Sequence, residues 1–211
     1  FLNYKTKRVG LVIDVSGHGK DTASQKLFLE KGFLLLEKLP DPEREYALQR
    51  LNDFLARLHD SSSELFSSFI RAEVQDKENG ERVLKVDVFG DMGLLVYNCA
   101  TQEMRECNLS ELAGQNFSFW KKLPLSIARA FGLIPSITIP EKVEHFLDPH
   151  DQVILFSDGL FRSWDPGGMS VADLLRDLCQ GNGCVQDLSE SIGDFLKQAT
   201  SRDDITVLKI V

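Results

Sequence analysis

Three aspartates in this chain share a local setting that could support metal chemistry. Asp14 ends an apolar, β-branched run before a glycine turn, Asp158 follows the apolar run 153–156, and Asp203 stands just before the last apolar run. If the three strands are neighbours, two carboxylates about 4 Å apart repel by roughly 4 kcal/mol at an effective dielectric of about 20. A cation would relieve this repulsion, and hard oxygen ligands favour Mg²⁺ or Mn²⁺ over zinc or copper. Taken singly, each aspartate is also a common turn residue beside glycine.

Composition limits the classes of protein to which the chain can belong. It has 211 residues, 43% hydrophobic and 27% charged, which fits one globular domain with a real core. Acidic residues outnumber basic ones by 32 to 24, and the net charge of -8 has the wrong sign for binding nucleic acid. Four scattered cysteines favour a reducing compartment, and we therefore expect a cytoplasmic protein. No apolar run is long enough for membrane insertion.

The elements that must position the aspartates follow from hydrophobic periodicity. A buried strand is predicted over 8–15, followed by a helix over about 20–38. A second helix begins at Asp41, the N-cap, with Pro42 at its first position. Apolar residues at helical spacing support the first helix: Ala23, Leu27, Leu34 and Leu35. A similar set is expected to form the inward face of the second: Leu48, Leu51, Phe54, Leu55 and Leu58.

Beyond residue 65 the period changes to two, which is typical of strands. Asn79-Gly80 marks a hairpin turn between the first two of them. Strands are predicted at 69–75, 82–89, 94–98, 103–108, 136–139, 143–147, 152–157 and 205–211. Two short helices, around 170–178 and 188–196, precede the last strand, and 109–135 is not assigned. This order predicts a single α+β domain over 1–211, a four-layer α-β-β-α sandwich of two antiparallel sheets flanked by helices.

Three motifs occur in a fixed order along the chain. They are Asp14-Val15-Ser16-Gly17-His18-Gly19, Ser157-Asp158-Gly159-Leu160 and Asp203-Asp204-Ile205-Thr206-Val207. Together they resemble the PPM-type metal-dependent serine/threonine phosphatases. The first motif is most similar to the bacterial subgroup typified by the sporulation stage II E protein and the stress-response regulators of sigma factors. Order and spacing fit from Val9 to Val211, and three motifs in register are far more specific than one.

The resemblance implies a role for each matched residue. Asp14 would bridge two Mn²⁺ or Mg²⁺ ions, and the carbonyl of Val15 would be a further ligand. Asp158 and Asp203 would hold the second ion. A water bridging the two ions would then attack phosphorus in line, without a covalent enzyme intermediate. Asp204 is expected to hydrogen-bond the loop or a bound water.

A fourth segment, Gly90-Asp91-Met92-Gly93, is similar to the Gly-Asp-Ser segment of the eukaryotic-type members, in which the aspartate helps to hold a third metal ion. Asp91 is therefore a candidate ligand, with a plain turn as the alternative. The sequence does not settle whether a third metal ion binds, because Arg162 occupies the position at which the family has another aspartate ligand. His18 lies four residues after Asp14 rather than two, which argues against a role as general acid. Three arginines are candidates for binding the substrate phosphate, with a plain surface position as the alternative for each: Arg71, Arg129 and Arg162.

The leading interpretation is a phosphatase that acts on phosphoserine or phosphothreonine of a regulatory protein, such as an anti-sigma-factor antagonist. An upstream sensor or regulatory domain would accompany it. The alternatives are a pseudophosphatase that serves as a scaffold or binding module, and a hydrolase of small phosphoesters. Three mutually repelling carboxylates favour activity. Because the family usually carries a Gly-Gly-Asp strand segment before the first motif, we expect a missing N-terminal strand or excision from a longer chain.

Overall fold

The computed structural model describes residues 2–3, 6–15, 22–59, 67–90, 92–106, 143–157, 159 and 206–211. Within them the chain forms two helices and nine strands. In chain order they are β1 (Leu2–Asn3), β2 (Lys7–Val15), α1 (Thr22–Leu36), α2 (Asp41–His59), β3 (Ser67–Asp76), β4 (Arg82–Phe89), β5 (Gly93–Asn98), β6 (Glu103–Glu106), β7 (Val143–Leu147), β8 (Asp151–Phe156) and β9 (Val207–Ile210).

The predicted elements that fall in these ranges are confirmed, with ends that coincide with the predicted ones or differ by one or two residues. The short strand β1 is an addition that periodicity did not reveal. The hairpin turn forms at the expected site, where the Glu81 amide donates to Asn79 Oδ1 at 3.1 Å and Gly80 has φ +84°. The predicted strand 136–139, the unassigned stretch 109–135 and both late helices lie outside the described residues.

All strand pairs are antiparallel and form two sheets. One has the order β1-β2-β3-β4-β7 and the other β6-β5-β8-β9. The main core lies between the sheets, and it includes Val12 and Ile70 from the first and Leu94 and Leu155 from the second. The predicted pair of antiparallel sheets is confirmed. No helix in the described part of the chain is long and apolar enough to cross a membrane.

Helices α1 and α2 cover the outer face of the five-stranded sheet. Leu29 and Phe33 of α1 and Leu48 of α2 pack against Phe69 and Phe89 of that sheet. Rings of Phe33 and Phe89 both lie 4.6 Å from that of Phe69, measured between centroids. Three of the four predicted layers are thus in place, and the helices predicted for the fourth belong to the ranges outside the described residues.

The face of α1 that packs inward differs from the one suggested by its leucine spacing. Leu27, Leu34 and Leu35 are exposed, the last at 62%, whereas Leu29 and Phe33 are buried. α1 is apolar on nearly every side, so its periodicity could not indicate which stripe meets the sheet. On α2, Leu48 and Leu55 are buried as expected, but the prediction for Phe54 is wrong because its side chain is 53% exposed.

Arg71 also departs from its expected place, because it is neither a surface residue nor a phosphate contact. Its guanidinium is buried beneath the helices and hydrogen-bonds Glu37, at 2.9 Å to Oε2, and Glu73 Oε2 at 2.6 Å. Asp87 Oδ2 lies 3.3 Å away. The surrounding charges form what we term the Arg71 cluster: Lys7, Glu37, Arg44, Arg71, Glu73 and Asp87.

Candidate metal centre

One edge of the sandwich gathers the ends of the strands that lead into the predicted motifs. In the first sheet, the end of β2 lies beside the start of β3. In the second, the end of β8 lies beside the starts of β5 and β9. The sheets share this edge, because only residues 90–92 separate the end of β4 from the start of β5. We term it the motif edge, and it comprises Val15, Gly90, Gly93, Ser157 and Thr206.

Two of the predicted metal ligands fall within the described residues. Asp14 is the penultimate residue of β2 and Val15 is its last, and both are half-buried at the motif edge. The other candidates lie outside the described residues, so their roles stay predictions. They are Asp91, Asp158, Asp203, Asp204, His18, Arg129 and Arg162.

The chain segments that border the second and third motifs lie side by side. The Ser157 amide donates to the Thr206 carbonyl, and the Thr206 amide donates to Ser157 Oγ, both at 3.0 Å. Ser157 immediately precedes Asp158, and Thr206 lies three residues after Asp203. These two hydrogen bonds extend the β8–β9 pairing to the motif edge. They hold the residue that precedes Asp158 beside the segment that follows Asp203.

Asp14 lies on the side of β2 that faces the other sheet. Side chains alternate along a strand, and Val12, two residues earlier, belongs to the core between the sheets. Ser68 is the cross-strand partner of Asp14 in the β2–β3 register. It shares the inner face with Ile70, another member of that core. Asp14 and Ser68 therefore stand opposite each other where the inter-sheet core meets the motif edge.

Gly90 brings the turn between β4 and β5 close to Ser68. Its φ is +82°, and a Cβ added to it would lie 2.0 Å from Ser68 Oγ and 2.6 Å from Ser68 Cβ. Both observations require glycine, since the left-handed conformation and the lack of space each disfavour a side chain. Sequence reasoning did not single out Ser68. The only signal for it was a pair of serines immediately before an alternating apolar strand.

The described donors at this edge fit a hard divalent cation. The Asp14 carboxylate and the backbone carbonyl of Val15 are both oxygen groups, the class that Mg²⁺ and Mn²⁺ prefer. The Gly90 backbone approaches this edge so closely that an added Cβ would overlap the Ser68 side chain. The described residues contain no group of three or more His, Cys, Asp and Glu placed to bind a metal. Asp91, Asp158 and Asp203 lie outside these residues.

Structures of known proteins resemble this fold. The RsbU and RsbW domains of Rv1364c from Mycobacterium tuberculosis align with a TM-score of 0.63 and 16% identity, covering 97% of this chain and 51% of that one. The present chain thus spans about half the length of that relative. The SiaA-PP2C domain of Pseudomonas aeruginosa aligns with a TM-score of 0.65 and 16% identity, covering 99% and 77%.

The catalytic domain of the serine/threonine phosphatase PstP, in complex with two manganese ions, aligns with a TM-score of 0.61 and 14% identity, covering 99% of this chain and 93% of that one. At such identities the likeness concerns the fold, and it confirms the predicted PPM-type sandwich. No curated protein matches the chain in sequence. The family described as Stage II sporulation protein E (SpoIIE) matches residues 5–211, nearly the whole length. This chain belongs to the SpoIIE family of PPM-type phosphatase domains.

Proposed function

We propose that this chain is a metal-dependent protein phosphatase that hydrolyses phosphoserine or phosphothreonine on a regulatory protein. The observation that carries the proposal is the convergence at the motif edge. Strand ends that border Asp14, Asp91, Asp158 and Asp203 in the sequence all reach this edge, although the motifs are spread over nearly the whole chain. A surface that only binds a partner has no need for this convergence of acidic motifs.

In this proposal the chain's own residues hold and orient the ions. Asp14 and the carbonyl of Val15 bind from the first sheet, while Asp158 and Asp203 bind beside the second. Asp91 is the candidate for an additional ligand. When bound, two Mn²⁺ or Mg²⁺ ions supply a water of lowered pKa as nucleophile and neutralise the phosphoryl oxygens. Residues 1–211 serve as one phosphatase domain, with no cofactor other than the ions.

The substrate class follows from the family resemblance. The proposed substrate is a small phosphorylated regulator of the anti-sigma-factor antagonist type. The proposed location of the phosphatase is the cytoplasm. The RsbU-containing relative from Mycobacterium tuberculosis also carries an RsbW domain, which supports a regulatory setting with further domains. An upstream sensor or regulatory domain is accordingly the proposed partner.

Hydrolysis of p-nitrophenyl phosphate and of a phosphoserine peptide tests the activity. We expect turnover that requires millimolar Mn²⁺ or Mg²⁺ and stops on addition of EDTA. Asp14→Asn removes a charge from the metal shell while keeping the side-chain shape. It should lower kcat by about a hundredfold or more, since loss of an electrostatic group at such a site costs factors of this size.

Asp76→Asn is the matched control. Asp76 ends β3 at the opposite end of the same sheet, where it pairs with Arg8 at 2.6 Å and its side chain is 47% exposed. This variant should retain normal turnover. If wild-type protein shows no turnover with either metal, but still binds a phosphorylated regulator, the chain is a pseudophosphatase scaffold and the proposed activity is wrong. Faster hydrolysis of p-nitrophenyl phosphate than of every phosphopeptide tested would instead indicate a small-phosphoester hydrolase.

A further inference from the structure

The inner face of β3 places one hydroxyl at the junction of two metal-binding segments. Ser68 stands opposite Asp14 in the β2–β3 register. The same side chain lies against Gly90, the residue before Asp91, so closely that a single added carbon would overlap Ser68 Oγ. Ser68 therefore lies between β2, which carries the predicted bridging carboxylate, and the β4–β5 turn, which carries another predicted ligand.

We propose that Ser68 is a positioning residue of the metal centre, which orients the Asp14 carboxylate and sets its distance from the Gly90 turn. The inference rests on the proposed function and adds to it a residue that does not itself bind the ion. Cross-strand partners have Cβ atoms about 5 Å apart, so a serine hydroxyl can reach a carboxylate on the facing residue. A carboxylate has two accepting oxygens, so donation to one Asp14 oxygen is compatible with metal binding through the other.

Serine suits this position for a steric reason as well. The approach of the Gly90 backbone leaves little room beyond the hydroxyl, since even the Cα of Ser68 would lie 3.0 Å from a Cβ on Gly90. A larger side chain would separate the turn from β3, whereas alanine would leave the carboxylate without its proposed donor. Groups that orient metal ligands in this way typically contribute a factor of about 10–100 in metal affinity or activity.

Ser67 provides an internal control on the same strand. It lies on the opposite face, is buried, and its Oγ has no hydrogen-bond partner among the described residues. Its cross-strand partner is Val15 rather than Asp14. Ser67→Ala thus removes the same atom one residue away, without touching the inner face.

The test measures Mn²⁺ affinity by calorimetry on metal-free protein, together with kcat and KM for a phosphoserine peptide over a range of Mn²⁺ concentrations. We expect Ser68→Ala to raise the Kd for Mn²⁺ by about tenfold or more. Turnover should fall at low Mn²⁺ and recover at high Mn²⁺, with an unchanged KM for the peptide. Ser67→Ala should match the wild-type protein in each measurement, and the metal-free Tm of the two variants should agree within a few degrees.

A Mn²⁺ Kd for Ser68→Ala within twofold of the wild-type value would overturn the inference. So would an equal loss of affinity in Ser67→Ala, because the effect would then be a general disturbance of β3. In either case the wild-type protein would still bind Mn²⁺ and turn over, so the proposed function would stand. Wild-type protein that neither binds Mn²⁺ nor turns over would overturn both.

Discussion

Gly90 is a residue at which backbone conformation and tertiary contact impose the same requirement. Its φ of +82° lies in the left-handed region, as does that of Gly80 at +84°. The two glycines differ in their surroundings. A Cβ on Gly80 would have no neighbour within 4 Å, whereas a Cβ on Gly90 would overlap Ser68. Comparison of the two positions therefore separates the cost of conformation from the cost of contact.

We predict that Gly80→Ala lowers the free energy of unfolding by about 1 kcal/mol, the strain of a left-handed alanine. Gly90→Ala should lower it by about 3 kcal/mol, because overpacking against Ser68 adds to that strain. Urea denaturation of the metal-free proteins measures both values. Equal losses in the two variants would show that Ser68 gives way without cost, contrary to the close approach described above.

At the scale of elements, the Arg71 cluster joins the helical layer to the sheet beneath it. Glu37 follows α1, while Arg71 and Glu73 belong to β3. Burial alone would lower the pKa of Arg71, but its hydrogen bond to Glu37 and the surrounding carboxylates raise it above the usual arginine value. The guanidinium therefore stays charged in the folded chain. Removing one member of such a buried cluster leaves its partners uncompensated, which is more costly than losing a surface pair.

Acid should weaken this cluster through Glu73. Burial would raise the pKa of Glu73, but hydrogen bonding to Arg71 and the charges of Arg71, Lys7 and Arg44 lower it below its ordinary value of 4.5. Because the folded-state pKa is the lower one, the stabilisation is complete above pH 4.5 and is lost as pH falls through the folded-state pKa. Below pH 4.5 the chain should therefore lose stability on acidification.

Glu73→Gln tests this dependence. The variant should be less stable than wild type at pH 7 by about 2 kcal/mol, since Arg71 loses a charged partner in a buried setting. Its stability should also fall less steeply below pH 4.5. Urea midpoints measured from pH 7 down to about pH 3 provide both comparisons. Glu81→Gln, an exposed carboxylate at the β3–β4 turn, should follow the wild-type curve. Parallel curves for Glu73→Gln and wild type would contradict the assignment.

In the whole molecule, the proposed ions join two sheets that share an apolar core. Asp14 belongs to the first sheet, whereas β8 and β9, which border Asp158 and Asp203, belong to the second. A ligand that binds only the folded state stabilises it in proportion to the logarithm of its concentration over Kd. Metal binding should therefore stabilise the entire sandwich rather than one segment of it.

We predict that Mn²⁺ at about a hundred times its Kd raises the free energy of unfolding by about 2.7 kcal/mol, with a matching increase in Tm. Asp14→Asn should abolish most of this increase while leaving the metal-free Tm close to that of wild type. Differential scanning calorimetry with and without Mn²⁺ measures the effect, with Glu78→Gln as an exposed-carboxylate control. A metal-induced Tm shift of the same size in Asp14→Asn would place the bound ions elsewhere.

Local patterns in the sequence were sufficient for much of the fold. Alternation in 82–89 predicted β4, Asn79-Gly80 predicted its hairpin turn, and Asp41 with Pro42 predicted the start of α2. These signals are local, since strand periodicity, turn residues and helix caps each depend on a few residues that are close together in the sequence. Three ordered motifs in the sequence also predicted the family, which the match over residues 5–211 shows, whereas the role of Asp14 as a metal ligand stays a prediction.

Other features depended on contacts between residues far apart in the chain. Leu27, Leu34 and Leu35 are exposed. Periodicity did not indicate this, because apolar residues occur on several sides of α1 and no single stripe stands out. Arg71 proved buried because Glu37 and Asp87, distant in sequence, neutralise its charge beneath the helices. Sequence patterns were thus enough to predict most elements, the family and the candidate ligands. Which faces meet, and the place of Ser68 between Asp14 and Gly90, became visible in the folded chain, because strand register and sheet packing are set by long-range contacts.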